Sequence, residues 1–99
     1  MESAKQGKER LSAEKIETMF SLLAPEARSV FLSGDFNHWD SSSHPLVKGK
    51  NGVWRTSLFL DPGPHQYNFF VDGKWQNDPD CHSYIPSAVG TSNCLKIVG

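Results

Sequence analysis

The chain has 99 residues, of which 37% are hydrophobic, and this size favours a single domain with one modest core. Ten lysines and arginines nearly balance eleven acidic residues, and the formal net charge of −1 argues against nucleic acid or an anionic membrane surface as the main partner. No apolar run approaches the roughly 18 residues of a membrane span, and the N-terminus lacks the apolar segment of a signal peptide, so we expect a cytoplasmic protein.

The first 14 residues differ in composition from the rest of the chain. They are rich in Lys, Glu, Ser and Gln, and Leu11 is their only large aliphatic residue after Met1. A segment of this composition cannot bury enough apolar surface to fold. We therefore expect residues 1–14 to be a flexible charged tail, with a docking segment as the alternative, and residues 15–99 to form the domain.

Strand-like segments follow one another at short intervals after the tail. Each is a short apolar or alternating run bounded by turn residues, and together they occupy residues 16–22, 29–33, 46–47, 53–60, 65–71, 74–75 and 93–98. Residues 77–90 contain two prolines and are expected to form a loop. About seven short strands with frequent turn signals predict an all-β fold, an immunoglobulin-like antiparallel β-sandwich.

The alternation within the strands assigns side chains to faces, because successive residues of a strand point to opposite sides of a sheet. In residues 53–60 it places Trp54 on the apolar face, so we expect Trp54 in the core. In residues 65–71 the face shared by Tyr67 and Phe69 is the more apolar one. Asn68 is then expected on the outer face, near Trp75.

Two further tryptophans stand beside turns. Trp75 follows the tight turn Asp72-Gly73, and Trp39 lies in the turn-rich segment after residues 29–33. An indole left exposed at such a position offers an apolar platform against which the C–H groups of a sugar pack well. The alternative is that each tryptophan plugs the end of the sandwich, and the residues alone leave both interpretations open.

Catalysis and metal binding are not expected. Glycoside hydrolysis needs two carboxylates held roughly 5–9.5 Å apart across a cleft, whereas the aspartates of this chain stand in turns, where they cap backbone N–H groups. The four histidines lack the spacing of metal ligands, and no cofactor motif is present. Cys81 and Cys94 are expected to be free thiols in a reducing compartment, with a disulfide between them left open.

Three blocks of sequence point to a known family. They are residues 30–39 (VFLSGDFNHW), residues 64–75 (PHQYNFFVDGKW), and the later pair formed by Asp78-Pro79 and residues 90–93 (GTSN). In this order and spacing, residues 16–98 resemble the family-48 carbohydrate-binding modules. That family includes the glycogen-binding domain of AMP-activated protein kinase β subunits and the N-terminal domains of isoamylases and glycogen branching enzymes.

The resemblance implies a set of binding residues. Two tryptophans of the family stack on an α-1,4-glucan, and their counterparts here are Trp39 and Trp75. Asn68 stands where the kinase members carry a lysine, so a charged donor is replaced by a group that both donates and accepts hydrogen bonds.

The last block supplies the remaining members of the implied site. Val89 corresponds to an aliphatic residue that inserts into the concave side of the glucan, and it is shorter than the leucine typical of the kinase members. Thr91 and Asn93 correspond to residues that hydrogen-bond glucan hydroxyls.

The implied function is non-catalytic binding of α-1,4-linked glucan, meaning glycogen, starch or maltooligosaccharides, without a cofactor. The alternative is a protein-interaction module that has lost sugar binding and docks on a kinase or a glucan-processing enzyme. Exposure of Trp39 and Trp75 on one face would favour the first, and burial of either against a partner would favour the second.

Overall fold

The computed structural model describes residues 14–86 and 92–99, and these form eight strands. The strands are β1 (Ile16–Leu23), β2 (Val30–Gly34), β3 (Val47–Lys48), β4 (Val53–Leu60), β5 (Gly63–Val71), β6 (Lys74–Gln76), β7 (Tyr84–Pro86) and β8 (Ser92–Val98). The tail residues 1–13 lie outside the described residues, as do Val89 and Thr91.

The strands assemble into two antiparallel sheets. A three-stranded sheet has the order β1-β4-β3, and a five-stranded sheet has the order β2-β5-β8-β7, with β6 paired to β5. This arrangement confirms the predicted all-β, antiparallel sandwich. In the described part of the chain no helix is long and apolar enough to cross a membrane.

The core lies between the two sheets and is built by alternation. Every second residue of the long strands points inward, as the sequence pattern predicted, and Trp54 is among the buried residues. The Nε1 of Trp54 still donates a hydrogen bond to the backbone carbonyl of Ala24, 2.9 Å away, so its polar atom is satisfied. The buried cluster comprises Phe20, Leu22, Val30, Leu32, Leu46, Trp54, Leu60, Tyr67, Phe69, Cys94 and Val98.

One strand was not predicted. Residues 77–90 were expected to form a loop, but β7 lies within them and pairs with β8 at the edge of the larger sheet, Ile85 opposite Asn93. A strand of three residues, two of them exposed, is too short to display alternation. Pro86 is compatible with this position because an edge strand has a row of unpaired N–H groups.

The position of β5 determines the local architecture of the site. Along one edge it pairs with β2, while along the other it pairs first with β8, over Gly63–Tyr67, and then with β6, over Phe69–Val71. Asn68 therefore lies between the part of β5 that pairs with β8 and the part that pairs with β6. A side chain at this point can reach the end of β6 and the beginning of β8 together.

The turn between β5 and β6 is tied to the opposite side of the same sheet. Asp72 and Gly73 have φ angles of 50° and 84°, as a tight hairpin turn with two left-handed residues requires. The carboxylate of Asp72 accepts the N–H groups of Ser29 and Arg28, at 2.9 and 2.8 Å. These backbone hydrogen bonds hold the pKa of Asp72 below its usual value. The turn chemistry thus accounts for this aspartate without a catalytic role.

Candidate functional site

The candidate site lies on the outer face of the five-stranded sheet. Tyr67 and Phe69 point into the core, so Gln66, Asn68 and Phe70 point outward from the same strand. The tight turn that follows β5 brings Trp75 directly opposite Phe70. Aromatic and amide side chains thereby share one surface.

Trp75 is exposed and supported from one side. Its side chain is 53% exposed, so it is not part of the core. The ring centroids of Trp75 and Phe70 lie 4.9 Å apart, with an angle of 59° between the planes. This contact restricts the indole while leaving much of its surface open to solvent. The structure therefore removes the interpretation in which Trp75 plugs the end of the sandwich.

Trp39 lies on a short, tightly bonded loop after β2. Its backbone N–H donates to the carbonyl of Gly34 at 2.9 Å, and the Asn37 side chain accepts from the N–H of Gly34 and donates to the carbonyl of Leu32. Trp39 and His38 both have positive φ angles, 59° and 58°, which residues with a Cβ adopt rarely. Trp39 is half-buried on this loop.

Asn68 is buried beneath other amides although it points away from the core. Its side chain is 7% exposed. Asn77 Nδ2 donates to Asn68 Oδ1 at 2.7 Å, and Asn68 Nδ2 donates to Asn93 Oδ1 at 2.8 Å. Asn93 Nδ2 in turn donates to Gln66 Oε1 at 3.2 Å. We name these four residues the amide chain: Asn77, Asn68, Asn93 and Gln66.

The structure brings some of the sequence-predicted residues together. Asn68 and Asn93 are in direct hydrogen-bond contact, and Trp75 lies on the same face, two residues further along the paired strands. Trp39 lies on the loop that follows β2, the strand that flanks β5 on its other edge. Val89 and Thr91 were also predicted for this site and lie outside the described residues.

Two residues of this surface were not predicted as part of the site. Gln66 could have been found from the two-residue period that links it to Asn68. Asn77 could have been found from the hairpin, because a two-residue turn at Asp72-Gly73 places residue 77 opposite residue 68.

The amide chain and the aromatic pair carry no formal charge. Amide side chains offer hydrogen-bond donors and acceptors at fixed positions, and an exposed indole offers an apolar surface. This combination suits a neutral, hydroxyl-rich ligand better than an ion. In the residues that the structure describes, no group of three or more His, Cys, Asp or Glu side chains could hold a metal ion.

Two titratable side chains, those of Tyr67 and Cys94, are buried on the core side of this sheet. The Tyr67 hydroxyl donates to the Asp78 carboxylate at 2.6 Å, and burial raises the pKa of Tyr67. Burial, followed by a hydrogen bond with Cys81, raises the pKa of Cys94 to about 12. Both cysteines are free thiols, and Cys94 is held protonated at neutral pH, which makes it a poor nucleophile.

His65 lies near the start of β5, on the face opposite the amide chain. It connects β5 to the loop that carries Trp39. Its Nδ1 is 3.0 Å from Asp35 Oδ1 and its Nε2 is 2.8 Å from the carbonyl of Asp61. Both partners only accept, so the protonated imidazolium, which donates from both nitrogens, fits this position. Burial alone would lower the pKa of His65, but the hydrogen bonds to Asp61 and Asp35 outweigh it and raise the pKa.

A pH-dependent stability follows from this histidine. Because the folded pKa is raised, the stabilisation is complete below the unfolded pKa of about 6.5 and is lost as the pH rises through the folded pKa. We expect His65→Gln to reduce the free energy of unfolding more at about pH 5.5 than at about pH 8.5, measured by urea unfolding. In the Asp35→Asn background this difference should shrink. An equal loss at both pH values would contradict the assignment.

Comparison with known proteins identifies the family. Residues 16–98 match the model of the family described as the glycogen recognition site of AMP-activated protein kinase. The chain belongs to this family. Its members are carbohydrate-binding modules, which are non-catalytic domains, and the match covers the whole sandwich from β1 to β8.

The chain is also similar to individual kinase subunits. It is 46% identical over 68 residues to 5'-AMP-activated protein kinase subunit beta-2 of Homo sapiens and of Mus musculus, which covers 69% of this chain. It is 44% identical over 66 residues to subunit beta-1 of Rattus norvegicus, which covers 67% of this chain. The matched region spans about a quarter of the length of these subunits (24% of beta-2 and 23% of beta-1).

Proposed function

We propose that this protein binds α-1,4-linked glucan, such as glycogen, starch or maltooligosaccharides, without transforming it. The single observation that carries the proposal is the exposed indole of Trp75, supported by Phe70 and bordered by the amide chain. The proposed site comprises Trp39, Trp75, Asn68, Val89, Thr91 and Asn93. Within it, the buried Asn68 acts through its hydrogen bond to Asn93.

The chemistry of this surface matches that of a glucan. The C–H groups of a glucose ring are polarised and pack against the negative face of an indole, while the hydroxyls need donors and acceptors. Trp75 would supply the indole face. Asn93 and its amide neighbours would supply the donors and acceptors. Because the surface is uncharged, binding is expected to change little with salt concentration.

The affinity should be modest. The surface is open, so a bound glucan buries only one of its sides. Its contacts must also offset the conformational entropy that the flexible glucan loses on binding. We expect a Kd of about 10 µM to 1 mM for a short maltooligosaccharide. Longer glucans can engage the surface at several places along the polymer and should bind with higher apparent affinity.

The family supports the ligand class, and the relatives suggest a setting. The family is described as a glycogen recognition site, and the similar proteins are named as subunits of a kinase. We include in the proposal that this domain brings a kinase, or another enzyme of glycogen metabolism, to glucan in the cytoplasm. Because the match covers about a quarter of each relative, the support comes from their glycogen-recognition region and not from the rest of those subunits.

The test is an NMR titration of the isotope-labelled protein with maltoheptaose, with cellohexaose as the β-linked control. We expect changes in the indole resonances of Trp39 and Trp75 and in the amide resonances of Asn93 and its neighbours, with the α-glucan only. Equal responses to both sugars would contradict selectivity for α-linkages. No response from a folded protein would overturn the proposal and favour a docking domain that has lost its sugar.

A further inference from the structure

The three hydrogen bonds of the amide chain all run in the same direction. The NH2 group of Asn77 points to the oxygen of Asn68, that of Asn68 to Asn93, and that of Asn93 to Gln66. A side-chain amide is a donor at one end and an acceptor at the other. Reversing one member would place oxygen against oxygen or NH2 against NH2, so the four amides must keep or change direction together.

A backbone group determines this direction. The main-chain carbonyl of Ser92 accepts from Asn77 Nδ2 at 2.9 Å and from Asn68 Nδ2 at 3.3 Å. A carbonyl can only accept, so these contacts favour the direction in which both side chains present their NH2 groups to it. The beginning of β8 thereby orients the first two amides, and these orient the rest.

Gln66, at one end of the chain, is the member whose NH2 group is not used within the chain. Both N–H groups of Asn68 are used within the protein, and its side chain is buried. Gln66 accepts through Oε1, so its NH2 is turned away from Asn93 and remains a donor. Gln66 is half-buried on the outer face, whereas Asn77 is exposed at the opposite end.

We infer that Gln66 donates from Nε2 to a hydroxyl of the bound glucan, and that Asn77 is a positioning residue that sets the orientation of the Gln66 amide through Asn68 and Asn93. This inference rests on the proposed glucan-binding function. It extends the binding surface by a contact at the β8 side of β5, and it assigns to the buried Asn68 a role in orientation.

Two conservative variants test the two parts. Gln66→Glu keeps the oxygen that accepts from Asn93 but removes the NH2 donor. Asn77→Asp replaces the first NH2 of the chain by an acceptor, so the remaining amides reverse at the cost of the 3.3 Å contact between Asn68 Nδ2 and the Ser92 carbonyl, and Gln66 presents its oxygen instead. We expect each to weaken maltoheptaose binding about three- to tenfold, the effect of losing one hydrogen bond. Gln76→Glu is the matched control, because it adds the same charge beside Asn77 but on the other face of the sheet.

A double variant separates orientation from a merely structural role. Gln66→Glu leaves the chain in its original direction, and in Asn77→Asp the remaining amides can still turn together by giving up the contact between Asn68 and Ser92. The combination of the two places acceptors at both ends. Two neighbouring amides must then face each other with like atoms, so the free energy of unfolding should fall by more than the sum of the single losses. Additive losses in urea unfolding would overturn the coupling.

Spectra of the free protein give an independent readout. In the Asn77→Asp variant the side-chain NH2 resonances of Gln66 should shift, although three hydrogen bonds separate the two residues. Unchanged Gln66 resonances would overturn the positioning role. If the wild type binds maltoheptaose and Gln66→Glu binds equally well, the Gln66 contact is overturned alone. If the wild type does not bind, the proposed function falls and the inference falls with it.

Discussion

Replacing Trp75 with alanine is expected to remove detectable binding of maltoheptaose while changing the thermal unfolding midpoint by only a few degrees. The side chain is exposed and contacts Phe70 at the surface, so the fold loses little buried area. For the ligand, a supported tryptophan is the largest apolar contact of the site, and removal of such an anchor commonly weakens binding by a factor of about 30 or more. Calorimetric or NMR titration, with thermal unfolding in parallel, measures both effects.

Phe59→Ala provides the control for this experiment. Phe59 is an exposed aromatic residue on β4, in the other sheet, so its removal deletes a similar surface area away from the site. We expect its variant to bind like the wild type. If Trp75→Ala retained binding, or if it lowered the midpoint by more than about 10 °C, the assignment of Trp75 as an open platform would be wrong.

Replacing Phe69 with alanine is expected to have the largest effect on stability. Phe69 is fully buried, stands opposite Leu32 of β2, and packs edge-on against Tyr67 with ring centroids 5.9 Å apart. Truncation of a buried phenylalanine leaves a cavity and costs about 3–5 kcal/mol. For a domain of this size, such a loss lowers the unfolding midpoint by more than about 10 °C. Urea unfolding monitored by tryptophan fluorescence measures the change.

Phe69→Leu keeps this prediction testable if the alanine variant does not fold. Leucine retains most of the buried volume, so we expect a clearly smaller loss than with alanine. Because Phe69 points away from the outer face, the molecules that remain folded should bind maltoheptaose with unchanged affinity. A loss below about 1 kcal/mol for the alanine variant would contradict the packing described for the core.

Alternation made much of the fold predictable from the sequence. Side chains of a strand alternate whatever the strand pairs with, so the inward position of Trp54 and the outward position of Asn68 followed from neighbouring residues alone. The strand β7 was missed because its pairing with β8 is a contact between distant residues, and three residues carry no period of their own.

The candidate site was also predictable from the sequence only in part. The turn Asp72-Gly73 indicated that Trp75 would stand at the margin of the sheet, and the structure agrees. The burial of Asn68 could not be read from its neighbours in sequence, because the groups that cover it come from residues 77 and 93. The family resemblance named Asn93 but contained no information on which atoms it would bond.

The sequence by itself determined the β class, the inward and outward faces of the long strands, and the family, because each depends on local order along the chain. Only the tertiary structure decided that Trp75 is exposed on a Phe70 support and that four amides form one directed chain. These features depend on how β6 and β8 meet along one edge of β5, and that meeting is set by hydrogen bonds between segments far apart in sequence.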